Sequence, residues 1–341
     1  MGLLKVTGTL ALNQFWPGGE SDADTAKVIV GPSAFKFQTH PGAPFKVKHV
    51  FDKAKVKGRF GSTPAIDKKN RITVRFQGID ATELHFRASP VSKQRKKQMT
   101  PAQLAKLKQE NKNYRELFGE TATVNLHDFL AKTGQTQIPC TVTTAVSSPN
   151  EVFDTFGRFI GDILVKIGGQ EINVNHWLVE QGWAFPTFYA SMSNEEIQAL
   201  LTATAAGRKK KNRVLKHLQK VVGQFDDKLV FPGKGASFDP ATDIGDVLMP
   251  KIFRRLCTFT VHKRAGIEHG KLHDFIKKSS PPDDCFLTKE FLTQGANAAI
   301  VHDLSEFVGS DDKITKEPQE LVFREAPSTL LGPNGHPLTQ F

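Results

Sequence analysis

The chain has 341 residues, with 46 Lys and Arg against 35 Asp and Glu, a formal net charge of +11 and 39% hydrophobic residues. Such a chain is long for one compact domain and comfortable for two, and its apolar content excludes a protein too polar to bury a core. Three cysteines, Cys140, Cys257 and Cys285, cannot all pair and form no Cys-x-x-Cys, which points to a reducing compartment and away from structural zinc. The N-terminus carries no signal-like apolar run and no stretch has the length of a membrane span, so the expectation is a soluble intracellular protein with no membrane contact.

The charge is uneven. Residues 225–341 hold 14 Lys and Arg against 17 Asp and Glu, which leaves 32 against 18, or +14, for residues 1–224. A positive field over the first two thirds suits a polyanionic partner, DNA or RNA, followed by a near-neutral segment.

In chain order, Leu3 to Leu12 and Ala26 to Gly31 read as two strands around the loop Pro17–Thr25, where Asp22 and Asp24 sit at i and i+2. Alone, that pair is ordinary turn chemistry. Residues 41–70, rich in Lys, Pro and Gly, read as an inserted hairpin. The third strand is Ile72-Thr-Val-Arg75-Phe-Gln, which alternates apolar and polar residues and breaks at Gly78 before Asp80, Ala81 and Glu83. A guanidinium and two carboxylates within nine residues of a strand end are the mixture phosphodiester cleavage needs: a fork for phosphate oxygens, oxygens for a hard cation and a base for water. A surface strand with a solvated loop is the plain alternative.

A second insertion spans about 88–113. Its part from Ser92 carries Lys93, Arg95, Lys96 and Lys97, and Thr100-Pro101 opens a helix. Tyr114 to Lys132 has helical spacing, Ile138 to Val146 and the run after Phe156-Gly157-Arg158 read as strands four and five, and Val174 to Ala184 is a short helix stopped by Gly182. A last helix from Asn194 to Leu218, capped by Ser193, holds Arg208, Lys209, Lys210, Lys211, Arg213 and Lys216 and no acid in its end. These basic clusters are candidates for phosphate contacts, or solvated faces.

Five strands with a helix between the third and fourth make the order of an α+β fold: a five-stranded OB-type β-barrel with packed helices. The ordered pieces Asp-Ala-Asp24-Thr, Val-Arg75-Phe-x-Gly-Ile-Asp80-x-x-Glu83, Phe-Gly157-Arg158 and Val-Asn175-x-x-Leu-Val-x-x-Gly182-x-Ala resemble the staphylococcal-nuclease-like (thermonuclease) family over about residues 3–220. The resemblance implies a Ca²⁺-dependent nuclease acting on DNA, RNA or both. It assigns Asp24, Asp80 and the carbonyl of Ala81 to Ca²⁺, Asp22 to a place close to the metal, Glu83 to the attacking water, and Arg75 and Arg158 to the scissile phosphate. The pattern departs from the family where Ala81-Thr82 replaces Thr-Pro, and where Phe188 and Ala190 stand in place of two nucleotide-binding tyrosines; Phe188 keeps the ability to stack on a base.

Two segments follow: residues 1–223 as the nuclease domain, and 224–341 as a C-terminal domain or wrap of unknown fold. In the latter, Phe231–Pro240 reads as a loop, Ile252–Val261 as a strand with a basic entry, Ala296–Val308 as a helix, and 327–341 as a weakly ordered tail. His262, His269 and His273 with Cys257 and Cys285 fit no zinc spacing. The alternative function is a non-catalytic nucleic-acid-binding OB module, the C-terminal region serving as a protein-interaction or regulatory part. Free Ca²⁺ is scarce inside cells, so cutting is expected to be restrained until a metal, a partner or the C-terminal region permits it.

Overall fold

The computed structural model describes residues 1–59, 61–217, 226–245, 247–309, 313–326 and 328–341. Its first part contains β1 (Gly2–Ala11), β2 (Thr25–Gln38), β3 (Lys46–Val47), β4 (Lys55–Gly58), β5 (Gly61–Pro64), β6 (Arg71–Phe76) and β7 (Ile79–Ala81). Next come α1 (Lys93–Lys97), α2 (Pro101–Glu110), α3 (Gly119–Ala131), β8 (Gln137–Val146), β9 (Phe159–Ile167), β10 (Gln170–Asn173) and α4 (Val174–Glu180). Then follow β11 (Ala184–Pro186), β12 (Phe188–Tyr189), α5 (Asn194–Lys209) and α6 (Arg213–His217).

Five strands close on themselves in the order β1, β8, β9, β6, β2 and back to β1. Alternation in the sequence fixes which face turns inward: Leu4, Val6 and Leu10 on β1, Ala26, Val28 and Val30 on β2, Ile72, Val74 and Phe76 on β6 are all buried. All ring pairings are antiparallel except β6 with β9, where Arg75 lies opposite Ile160. β2 runs longer than expected because, after an irregularity near Val6, it pairs a second time with the start of β1. The insertion at 41–70 holds the expected hairpin as β4 and β5. The capping predictions hold: Thr100 and Ser193 each form a capping box, with Gln103 and Glu196 respectively.

The C-terminal part contains α7 (Pro250–Arg264), α8 (Leu272–Lys277), β13 (Asp284–Leu287), α9 (Thr288–Gln294), β14 (His302–Asp303), β15 (Leu321–Phe323) and β16 (Thr329–Leu331). Three expectations are corrected here. Ile252–Val261 is helical, because its apolar residues recur at 252, 256 and at 253, 257, 261. The stretch 296–308 forms β14 and a short 3-10 turn capped by Asp303 rather than a helix. The tail is packed: β16 pairs with β4 and Phe341 stacks on Phe37 with ring centroids 4.0 Å apart.

This part wraps the first. β15 pairs in parallel with β12, and Phe286, Phe291, Val322 and Leu330 enter the same core as the ring. A second core joins α7 and its neighbours to Ala88 of the long insertion and to Tyr114 just after it. The boundary expected at 223/224 lies outside the described residues. No helix among the described residues is long and apolar enough to cross a membrane.

Candidate functional site

One end of the ring gathers the charged residues. Thr25 of β2 lies opposite Arg75 of β6, so Asp24, one residue earlier, meets the end of β6, where its carbonyl accepts from the Phe76 N–H at 2.9 Å. Gly78 then turns the chain at φ +72°, a left-handed conformation that favours glycine, and delivers Asp80 on β7 back toward Arg75. β7 is held there by β11, with Asp80 opposite Phe185.

Arg75 is the hub. Its Nη1 lies 2.7 Å from Asp24 Oδ2 and its Nη2 2.6 Å from Asp80 Oδ1. Asp24 Oδ2 also accepts from the Ala81 N–H at 2.8 Å. Asp22 lies against Asp24, and burial together with Asp24 and Glu83 pushes its carboxyl well above the ordinary value. Glu83 follows, its N–H donating to Glu116 Oε2 at 2.8 Å. Burial raises the carboxyls of Glu83 and, much further, Glu116. The fold thus brings together five of the predicted positions, Asp24, Arg75, Asp80, Ala81 and Glu83, with Asp22 at their edge.

Arg158 is placed differently. Its Nε is 2.7 Å from Asp154 Oδ2 and its guanidinium lies over the Phe156 ring, 5.3 Å from the centroid. Among the described residues no ion pair or hydrogen bond joins it to Asp24, Asp80 or Glu83. It sits at the end of the turn that leads into β9, two residues before Ile160, which lies opposite Arg75.

Sequence reasoning missed two members of the cluster, Glu116 and Arg254. Arg254, on α7, holds Asp80 Oδ2 through Nη2 at 3.0 Å and bonds Glu83 Oε1 through Nη1. Burial opposes the charge on Asp80, but Arg254 and Arg75 together keep its carboxyl below the ordinary value. Nothing in the sequence pointed Arg254 or Glu116 toward this cluster.

The nucleic-acid candidates divide. Phe188 is corrected: it is fully buried, because β15 covers β12, and it has no face to offer a base. Lys93, Lys96 and Lys97 are exposed on α1, whereas Arg95 pairs with Glu268 at 3.0 Å. Lys209 is exposed, Lys210 pairs with Glu180 at 2.6 Å, and Arg208 is paired with Glu317.

Whether these residues fit Ca²⁺ is decided by their oxygens. The ion takes 6–8 oxygen ligands at close range, as a rule. Both oxygens of Asp80 face guanidinium groups, and Asp24 Oδ2 already accepts from Arg75 and Ala81. Among the described residues, no group of three His, Cys, Asp or Glu is arranged to hold a metal ion. In this arrangement the donor set does not fit the ion.

Residues 73–214 match the family described as staphylococcal nuclease homologue. This part of the chain is therefore a domain of that family; the matched region includes Arg75, Asp80, Ala81, Glu83 and Arg158, while Asp22, Asp24 and α7 fall outside it. No curated protein gives a match to the chain.

Proposed function

We propose that the chain is a nuclease that hydrolyses phosphodiester bonds of DNA or RNA, its ring being the OB-type barrel of a nuclease unit over residues 1–223 that 224–341 wrap. One observation carries this reading: Arg75 bonds Asp24 and Asp80 directly, and Arg254 joins Asp80 to Glu83, so residues from three separate stretches gather at one end of the ring. In the proposed reaction Glu83 orients and deprotonates the attacking water. Arg158, two residues before the position opposite Arg75 and 31% exposed, meets the phosphate, and Arg75 supports the developing charge from behind. Ca²⁺ dependence comes with the family resemblance, but the donor set described above gives no place for it, so no step is assigned to the ion.

The second reading, a nucleic-acid-binding module that does not cut, is favoured by the engagement of Asp24, Asp80 and Glu83 with guanidinium groups. Labelled single- and double-stranded DNA and RNA, digested with Ca²⁺, with Mg²⁺ and with EDTA, separate the two. Cleavage that falls at least about a hundredfold in Glu83→Gln and in Arg158→Ala, with unchanged circular dichroism, supports the nuclease. Binding without cleavage that weakens steeply with salt supports the module.

A further inference from the structure

We infer that Arg254 is a resident cation of the carboxylate cluster: the C-terminal part of the chain supplies, as a built-in guanidinium, the positive charge that a divalent ion would otherwise bring to Asp80 and Glu83. The contacts are those of a bridging ligand. Nη2 is 3.0 Å from Asp80 Oδ2, Nη1 is 3.4 Å from Asp80 Oδ1, and the same Nη1 bonds Glu83 Oε1. With Arg75 on the other side, three acidic side chains, Asp24, Asp80 and Glu83, are spanned by two guanidinium groups, which leaves these five groups at most one net negative charge without a metal.

Arg254 is a positioning residue, acting through Asp80 and Glu83, and its own position is firmly set. Next to it Arg255 makes two bonds to Asp283, at 2.6 and 2.8 Å. One turn on, Thr258 Oγ1 accepts from the Ser89 N–H at 3.2 Å, and His262 Nε2 lies 3.0 Å from the Ser89 carbonyl. Ile252, Leu256 and Cys257 of the same helix share a core with Ala88 and Tyr114. A plug that comes and goes would have to break all of these; a permanent part of the site would not. A divalent ion entering beside Asp80 would face two fixed positive charges and find both carboxylate oxygens taken.

The test is metal binding by the full chain, read by luminescence titration with Tb³⁺, a probe for Ca²⁺ sites, and by calorimetric titration with Ca²⁺. The wild type should give no saturable signal up to about 10 mM, beyond the weakest protein Ca²⁺ sites. Arg254→Met, which keeps the length of the stem and loses the charge, should gain a saturable site at least about tenfold tighter than any wild-type response. Arg254→Lys should stay silent, which a purely structural role for the side chain would not require. A saturable wild-type site overturns the inference, as does a silent Arg254→Met that still melts cooperatively. If Arg254→Met does not fold, Arg254→Gln replaces it, and if neither folds the wild-type titration decides alone. The inference uses the nuclease reading only to name Asp80 and Glu83 as site residues; ion binding is measured without cleavage, so a chain that cuts nothing still answers it.

Discussion

Arg75 is 9% exposed and bridges Asp24 to Asp80, so the loop before β2 and the start of β7 are tied through one side chain. Replacing it by Met leaves two buried carboxylates with Arg254 alone to balance them, and breaking such a pair costs about 3–5 kcal/mol. The urea midpoint of Arg75→Met should fall accordingly, and Arg75→Lys should recover only part, because an ammonium lacks the planar fork that meets two acids at once. Glu116 offers a test of opposite sign. Burial raises its carboxyl well above the ordinary value, and its Oε1 is buried without a hydrogen-bond partner among the described residues, while Oε2 accepts from Glu83 N–H. The unfolded chain therefore loses this proton first, above about pH 4.3, and stability falls as pH rises until the folded carboxyl ionises too. Glu116→Gln retains an acceptor for Glu83 and removes that loss. It should match the wild type below about pH 4 and exceed it at neutral pH, the gap opening by at most about 1.4 kcal/mol per pH unit. Thermal unfolding across pH checks this; equal stability at neutral pH would show that Glu116 ionises in the fold as it does in water.

At the scale of elements, the turn between β6 and β7 sets the site. Gly78 has φ +72°, and a Cβ there would lie 2.3 Å from Leu200 Cδ1 and 2.8 Å from Met192 Cε. Gly78→Ala should cost about 1–3 kcal/mol from backbone strain, with the flexible tips of Leu200 and Met192 yielding some of the space, and it should move Asp80 relative to Arg75. Denaturant unfolding gives the first effect; a loss of cleavage larger than the loss of folded protein gives the second. This turn was legible because strand alternation, Gly and the acids all lie within a dozen residues. The ring strands were legible for the same reason, each carrying its own period-two pattern. α7 was not: Cys-Thr-Phe-Thr-Val is rich in the β-branched and aromatic residues of strands, and only burial against α8 and the long insertion decides the period. The place of Arg254 was further out of reach, since it depends on a contact 171 residues away in sequence, to Glu83. Phe188 was misjudged for a related reason, because the strand that buries it comes from the far end of the chain.

At the scale of the molecule, the question is whether the first 217 residues can stand alone. β12 has β15 beside it, β4 has β16, Phe37 has Phe341, and the second core mixes α7 with Ala88 and Tyr114. Ending the chain after residue 217 would uncover Phe188 and Phe37, each aromatic of that size giving up about 1.5–3 kcal/mol of burial. It would also remove Arg254, leaving Asp80 with Arg75 and, among the described residues, Glu83 with no guanidinium partner. These losses together are comparable to the whole stability of an ordinary domain, about 5–15 kcal/mol. The truncated chain should therefore show no cooperative calorimetric transition and should bind a hydrophobic dye that the full chain excludes. A sharp transition near the full chain's own would mean that the C-terminal part only rests on a self-sufficient nuclease unit. In that case Arg254 would be a visitor to the cluster, and the truncated chain, free of it, should gain the saturable Tb³⁺ signal that the full chain lacks.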